Sequence, residues 1–348
     1  MMKKLFNKIT KKVDPEPLTN RITTETVAQH REQILAGGRR FKYPIQYAKH
    51  KLVINAIIIS VAALAALVFV GWWQLYPSQN TSEFMYKVTK FIPLPVAYVD
   101  SQPVLYSDYL MRCLGSMHYA QQIEQTNFKT DSGVERLKYI KQQAMSDSVA
   151  DAYGLKLAAQ MKISVSEQEI DDFMIIQRRY DKDLISKQTF DSVNLEYFNW
   201  TRAEYRHIIK NKLIHQKVAY AVDTDALKIS KDLDAKLVAD ANADLKQLAS
   251  TIALNSTVKP SFSSSGLVPK INQDGGLARE ASKLKKGQFS KVFKSDNGDG
   301  YYAVKLIEIT DTQVNYNYIK IPLTKFDSDL AALEKKGKVD YLISIPKK

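Results

Sequence analysis

The sequence predicts an α+β chain: a membrane-crossing helix near the N-terminus, a mostly helical region after it, and a small sheet domain beyond that. Three observations predict it. Leu52–Leu75 runs for 24 residues without an Asp, Glu, Lys or Arg. Between Val134 and Val218 apolar residues recur at three- and four-residue steps, with helix-start signals at Ser166 and Thr201. After Val222-Asp223 the texture changes to short apolar runs separated by Ser-, Gly- and Asp-rich turns.

Residues 1–51 form a basic tail with 12 Lys+Arg and 4 Asp+Glu, a net charge of +8. The whole chain carries +13 and the apolar run none, so residues 76–348 keep only +5. Basic residues resist translocation, which places the tail in the cytoplasm and the 273 residues after the run outside it. The pI of 9.4 is thus largely a property of the tail, and no nucleic-acid-binding motif accompanies it, so no nucleic-acid partner is expected. Leu5, Phe6, Ile9 and Val13 sit at helical spacing among lysines; the arm lies on an anionic leaflet or is merely solvated, and both readings stay open. At ~1.5 Å per residue the 52–75 helix is roughly 36 Å long, enough to cross a ~30 Å hydrocarbon core. Trp72, Trp73 and Tyr76 gather at its far end, where amphipathic rings favour the headgroup level. It reads as a signal anchor: a cleaved leader is not expected, because the preceding region is too long and no small-x-small site follows at Tyr76–Ser82. Cys113 is the only cysteine, which excludes an intrachain disulfide.

Residues 76–95 read as a linker, with Ser78–Leu94 irregular and a turn at Pro93 and Pro95. Val96–Val99 is a short strand that meets a turn at Asp100–Pro103, and Ser107 is placed to cap the next helix. Thr126–Gly133 is a polar loop. Val134–Ile163 is the clearest amphipathic segment, with Gly154 as a candidate interruption. Ser166-Glu167-Gln168-Glu169 and Thr201-Arg202-Ala203-Glu204 have the capping-box form, in which hydroxyl and carboxylate satisfy reciprocal backbone donors. Ile170, Phe173, Met174 and Ile176 make the buried stripe after the first box. Ile229–Ala253 is again helical, Asn255–Gly266 a Ser-rich loop, and Gly275-Gly276 a tight turn. Phe289–Lys294 and Tyr301–Ile309 read as strands joined by the hairpin signal Asp296–Gly300. Val314–Pro322 is a third strand, Phe326–Lys336 a short helix and Val339–Ile345 a last strand.

This order of parts is recognisable. The anchor, the stretch VAYVDSQPVLYSDYL and the helical run ADAYGLKLAAQMKISVSEQEIDDFM resemble the N-terminal module of SurA-like, PrsA-like and PpiD-like foldases. Asp100-Ser101 stands where that family has Asn-Gly. NWTRAEYRHIIKNKLIHQKVAYAVD resembles the returning helix that completes the module, giving residues 96–223. In residues 224–348, GQFSKVFKSDNGDGYYAVKLIEI resembles the closing hairpin of a parvulin-type (PpiC) prolyl isomerase domain, and Gly275-Gly276-Leu277 its Gly-Gly-Asp-Leu-Gly turn without the Asp.

The departures from that pattern set the functional expectation. The five histidines are His30, His50, His118, His207 and His215, so none follows Asp223. Tyr302 occupies one family histidine position, and Tyr318, in Tyr318-Ile319-Lys320-Ile321, stands in a run like the family's opening His-Ile-Leu-Val strand. That strand is missing after Asp223, and Val314–Pro322 is expected to fill its central slot. Only ten residues separate Gly276 from Gly287, too few for the Met- and Phe-bearing segment of the family's pocket. Lowering the ~18–20 kcal/mol barrier to prolyl rotation needs a shaped pocket with polar groups set against the amide.

The resemblance therefore implies a membrane-anchored extracytoplasmic chaperone or foldase whose clients are newly secreted, unfolded polypeptides and whose parvulin-like domain is non-catalytic. An active prolyl isomerase and a structural subunit of an envelope or secretion assembly are the alternatives. Candidate client contacts are Met111, Met117, Met145 and Met161, whose flexible thioethers suit variable partners, together with Phe293, Tyr302 and Tyr318. No cofactor or metal is implied, since Walker, dinucleotide, HExxH and CxxC patterns are absent. Asp171-Asp172, Asp296 and Asp299 read as solvated carboxylates, Ser261–Ser265 as loop, and His207 and His215 as two helix residues on one side.

Overall fold

The computed structural model describes residues 23–42, 47–180, 183–254 and 256–345. The amphipathic arm expected around Leu5–Val13 lies outside them. The chain divides into two compact units, Met1–Trp72 and Trp73–Lys348.

The first unit holds helix α1 (Thr24–Lys42) and most of helix α2 (Tyr47–Leu75). Within α2, His50–Leu75 is long and apolar enough to cross a membrane, and none of that stretch's apolar window is buried by protein. Its apolar face runs all the way round, which suits a lipid environment rather than one packed side.

The second unit begins with the last turn of α2. Leu75 is 1% exposed within a large apolar core, and its carbonyl accepts a hydrogen bond from Tyr106 (2.6 Å). Residues 76–95 are not an irregular linker. Helix α3 (Glu83–Phe91) occupies their centre, capped by the Ser82 hydroxyl and burying Met85 and Thr89. Strands β1 (Pro95–Val99) and β2 (Gln102–Leu105) form a hairpin whose turn residues Asp100 and Ser101 both take positive φ, 44° and 76°. Asn-Gly is the pair that most readily takes that conformation; here Asp and Ser adopt it. Helix α4 (Tyr106–Gln122) follows β2 directly, so Ser107 is not its cap; Leu105 holds that place with no side-chain bond.

Helix α5 (Asp131–Met161) is continuous through Gly154, where a Cβ would lie at an ordinary contact distance, 3.7 Å, from the Cα of His215. Helix α6 (Glu167–Gln177) starts at the Ser166 capping box, and β3 (Arg179–Tyr180) pairs with β4 (Asp183–Leu184). Helices α7 (Lys187–Phe198) and α8 (Arg202–Val222) follow, the latter from the Thr201 capping box. Arg112, on α4, ties to the buried Asp151 on α5, and Arg206 to Asp171 and Glu167 on α6. The chain is α+β, with this module almost wholly helical.

Helices α9 (Thr224–Ala239) and α10 (Leu245–Thr251) lead into a four-stranded antiparallel sheet of order β5-β8-β7-β6. Its strands are β5 (Ser261–Pro269), β6 (Phe293–Lys294), β7 (Gly300–Ile309) and β8 (Gln313–Pro322), and helix α11 (Leu277–Ala281) lies between β5 and β6 in sequence. The Ser-rich stretch expected as a loop is thus an edge strand, paired with β8 from Ser261↔Lys320 to Pro269↔Gln313. Small polar residues can occupy such an edge because little of it is buried. The run expected over Phe289–Lys294 contracts to two residues plus an isolated bridge, Phe289↔Lys305. Strand β8 lies at the centre of the sheet and pairs with β7 along its length.

The C-terminal segment corrects the expected boundary of a 224–348 domain. Helix α12 (Lys325–Lys335) and strand β9 (Val339–Tyr341) leave the second sheet and return to the helical module. Strand β9 completes a β2-β1-β9 sheet, and Phe326 and Ile343 lie in the module's core. The buried Asp223 fixes this crossing: Oδ1 accepts from Ala226 N (3.0 Å) at the start of α9, and Oδ2 from Thr324 N (2.7 Å) and Lys325 N (3.0 Å). One carboxylate therefore holds both chain passages between the module and the sheet domain.

Candidate functional site

Alternation along β7 and β8 divides the second sheet into two faces. Tyr301, Ala303, Ile319 and Ile321 face α9 and α10, whereas Tyr302, Val304, Leu306, Val314 and Tyr316 face α11. The second face carries the residues that the sequence aligned with family histidines. Tyr302 and Tyr318 lie with ring centroids 5.9 Å apart; Phe293 stacks on Tyr302 at 6.3 Å, and Tyr316 continues the row at 6.1 Å from Tyr318.

Two phenols on this face are bonded to carboxylates. The Tyr302 hydroxyl donates to Asp299 Oδ2 (2.7 Å), which also accepts from Lys320 Nζ (2.5 Å). Burial pushes the Tyr302 phenol well above its ordinary range, and its bond to the Asp299 carboxylate adds to the effect. Burial works to raise the Asp299 carboxyl, but hydrogen bonds from Lys320 and Tyr302 outweigh it and hold the group ionised. Tyr316 donates to Asp274 (2.5 Å), whose carboxylate also receives Ala278 N at the start of α11. Leu277, Ala278 and Ala281 of α11 are buried against the same face. The phenols are thus proton-bearing donors fixed to carboxylates; neither is placed to exchange a proton near neutral pH. Asp296, the other carboxylate of this hairpin, pairs with Arg279 (2.6 Å).

The methionine candidates do not form one surface. Met145 is core, Met117 packs half-buried beside Cys113, and Met161 is exposed at the end of α5. Met111 lines a cleft, with Leu114 and Gly115 of α4, Tyr86 and Lys87 of α3, and Phe198 and Trp200 before α8. The cleft encloses about 250 Å³. Two of its lining rings stack, Phe198 on Trp200 (4.6 Å, 17°), and behind them Tyr119 stacks on Phe198 (5.3 Å, 13°); all three are half-buried. Trp200 is positioned by its Nε1 bond to the Met111 carbonyl (3.2 Å) and by Gly115, where a Cβ would come within 2.4 Å of the indole. Tyr197 of α7 is exposed with its ring 6.3 Å from that of Tyr119, and Val193 and Leu195 of the same helix are exposed as well.

The cleft floor is held by Glu204. Its Oε1 accepts from Tyr86 (2.5 Å) and Lys90 (3.1 Å), and its Oε2 from Thr201 Oγ1 (2.7 Å) and N (2.9 Å). Burial works to raise this carboxyl, but the donors outweigh it and hold it down at about 2. His207 bonds Asp108 (3.0 Å), which raises its pKa against burial; burial lowers that of His215, whose ring lies 4.0 Å from that of Phe326. The two histidines therefore serve separate contacts. The aromatic stack went unrecognised in the sequence, although the density of Tyr197, Phe198 and Trp200 in four residues was a usable signal.

Comparison with protein families matches the SurA-like N-terminal domain over residues 45–219, half of the chain. This chain belongs to the SurA-like N-terminal domain family. The PPIC-type PPIase domain matches residues 196–317, which takes in Tyr302 but ends one residue short of Tyr318. The combination is that of the SurA-, PrsA- and PpiD-like foldases. A relative named foldase protein PrsA, from Clostridium acetobutylicum, is 25% identical over 200 residues, covering 54% of this chain and 59% of the relative. The SurA-like chain thus spans about three-fifths of the length of the curated relative it matches.

Proposed function

We propose that this SurA-like protein is a membrane-anchored, extracytoplasmic chaperone that holds newly translocated polypeptides, and that its parvulin-like domain is non-catalytic. The observation that carries the holding role is the half-exposed stack Tyr119–Phe198–Trp200, with the exposed Tyr197 ring 6.3 Å from that of Tyr119. Such a surface binds apolar segments without fixed sequence readout. Non-catalysis is supported by the bonding of Tyr302 to Asp299 and by α11 lying over the tyrosine face. Anchoring is supported by the apolar His50–Leu75 helix and the basic tail before it. The match to a PPIC-type domain keeps an active isomerase as the second reading.

The test uses the full chain in detergent or nanodiscs. Suppressed aggregation of an unrelated unfolded protein, weakened by Leu195→Ser with Phe198→Ser, is the expected result, alongside no acceleration of prolyl isomerisation. A clear acceleration abolished by Tyr302→Phe overturns the non-catalytic reading. No suppression, with one stoichiometric partner recovered instead, overturns the chaperone reading in favour of a structural subunit. Protease added to intact cells should digest the region after residue 75 and spare the tail.

A further inference from the structure

Helix α3 buries one side in the module and leaves the other bare. Met85 and Thr89 face inward, and Tyr86 and Lys90 are tied to Glu204 on α8. On the outer side Phe84 is 67% exposed, Phe91 89% and Ile92 49%, with Lys87 exposed between them. Two phenylalanines seven residues apart on a helix that already has a packed side are not explained by the fold.

The chain itself says what lies near this helix. Glu83 follows the last residue of the apolar helix by only eight positions. The link cannot stretch far, because it turns back on the helix end: Ser78 N bonds Trp73 O (2.9 Å), Asn80 N bonds Gln74 O (2.8 Å), and Asn80 Nδ2 bonds Gln74 Oε1 (2.9 Å). Trp73, at that end, is half exposed.

We infer that the outer side of α3 is a lipid-contact face, lying in the headgroup layer of the outer leaflet with Phe84, Phe91 and Ile92 inserted at the acyl boundary and Lys87 among anionic headgroups. An amphipathic helix with aromatic residues on one side and lysine beside them rests ~5–10 Å into that boundary. This inference rests on the reading that residues 52–75 cross the membrane. The face seats the chaperone module on the bilayer through α3, so that the cleft, whose near wall is Tyr86 and Lys87 of the same helix, opens at the lipid surface.

The experiment uses the full chain in phosphatidylcholine–phosphatidylglycerol vesicles, with an environment-sensitive fluorophore on one introduced cysteine. The native Cys113 is fully buried and does not compete. Three sites are compared: Phe91→Cys on α3, Leu64→Cys within the apolar helix, and Val238→Cys, 77% exposed on α9, as a solvent reference. The expected result is quenching of the Phe91 label by lipids with a shallow nitroxide, with protection from aqueous iodide, while the Leu64 label responds to a deep nitroxide. Phe84→Cys should reproduce the Phe91 result. A Phe91 label that behaves like the Val238 label while Leu64 remains deep overturns the lipid-contact face alone. Protection from iodide without lipid quenching overturns it in favour of a protein covering α3. A Leu64 label insensitive to both nitroxides overturns the membrane-spanning reading, and the face with it.

Discussion

Single residues in this molecule are set by hydrogen bonding more than by exposure. Glu204 is the clearest case, a carboxylate with donors from a phenol, an ammonium, a hydroxyl and a backbone amide. Its pKa of about 2 lies below the ordinary 4.5, so an unfolded chain binds the proton more readily. Its contribution to stability is therefore complete above about pH 4.5 and lost as the pH falls toward about 2. Glu204→Gln keeps the capping-box oxygen but loses the charge, and should cost roughly 1.5–3 kcal/mol at neutral pH. Urea unfolding at stepped pH checks this: the gap between variant and wild type should close across that acid window. Gly115→Ala should act sterically, since the new methyl meets a rigid indole; a loss of about 1–3 kcal/mol is expected. Weakened near-ultraviolet dichroism from the Tyr119–Phe198–Trp200 stack is the accompanying signal. Both capping boxes were legible in the sequence because their partners lie three residues apart. The aromatic stack was not, because Tyr119 and Phe198 meet only after α4 and α7 pack together.

At the scale of elements, local signals located most helices and failed where an element depends on distant partners. Helix α3 hid between apparent linker residues because its nine residues do not declare themselves without the Tyr86–Glu204 and Lys90–Glu204 contacts. Strand β5 hid because Ser261, Ser263, Ser264 and Ser265 give no apolar alternation; its partner β8 supplies the order. Strand β8 itself was legible, with Val314, Tyr316 and Tyr318 alternating, and so was its place beside β7. The end of α2 gives an element-scale prediction. A soluble fragment beginning at Ser78 lacks the buried Leu75 side chain and its bond to Tyr106, whereas one beginning at Trp73 keeps them. The shorter fragment also loses Tyr76, whose hydroxyl bonds Pro95 O (2.7 Å), so it should be less stable by roughly 3–6 kcal/mol, combining one buried leucine and two hydrogen bonds. Equal denaturation midpoints would show that this last turn carries no weight in the module.

For the whole molecule, the decisive contact is the return of the C-terminal segment to the helical module. Residues 338–342 pair with 96–100: Val339 stands opposite Val99, Tyr341 opposite Ala97, Leu342 N bonds Val96 O (3.0 Å), and Asp100 N bonds Lys338 O (2.7 Å). No local pattern announces such a pairing, which is why the last strand was recognised but its sheet was not. Deleting residues 339–348 should raise amide exchange at 96–99 and in the neighbouring part of α5, leaving β7 and β8 protected. Increased exchange in β7 and β8 instead would mean that the segment supports the second sheet.

That pairing also fixes a schedule. Val339 is made 240 residues after Val99, an interval of roughly 12–48 s at ~5–20 residues per second of synthesis. Throughout it the edge of β1 and the hollow awaiting Phe326 and Ile343 stay open, so the helical module stays unfinished until Ile343 has emerged.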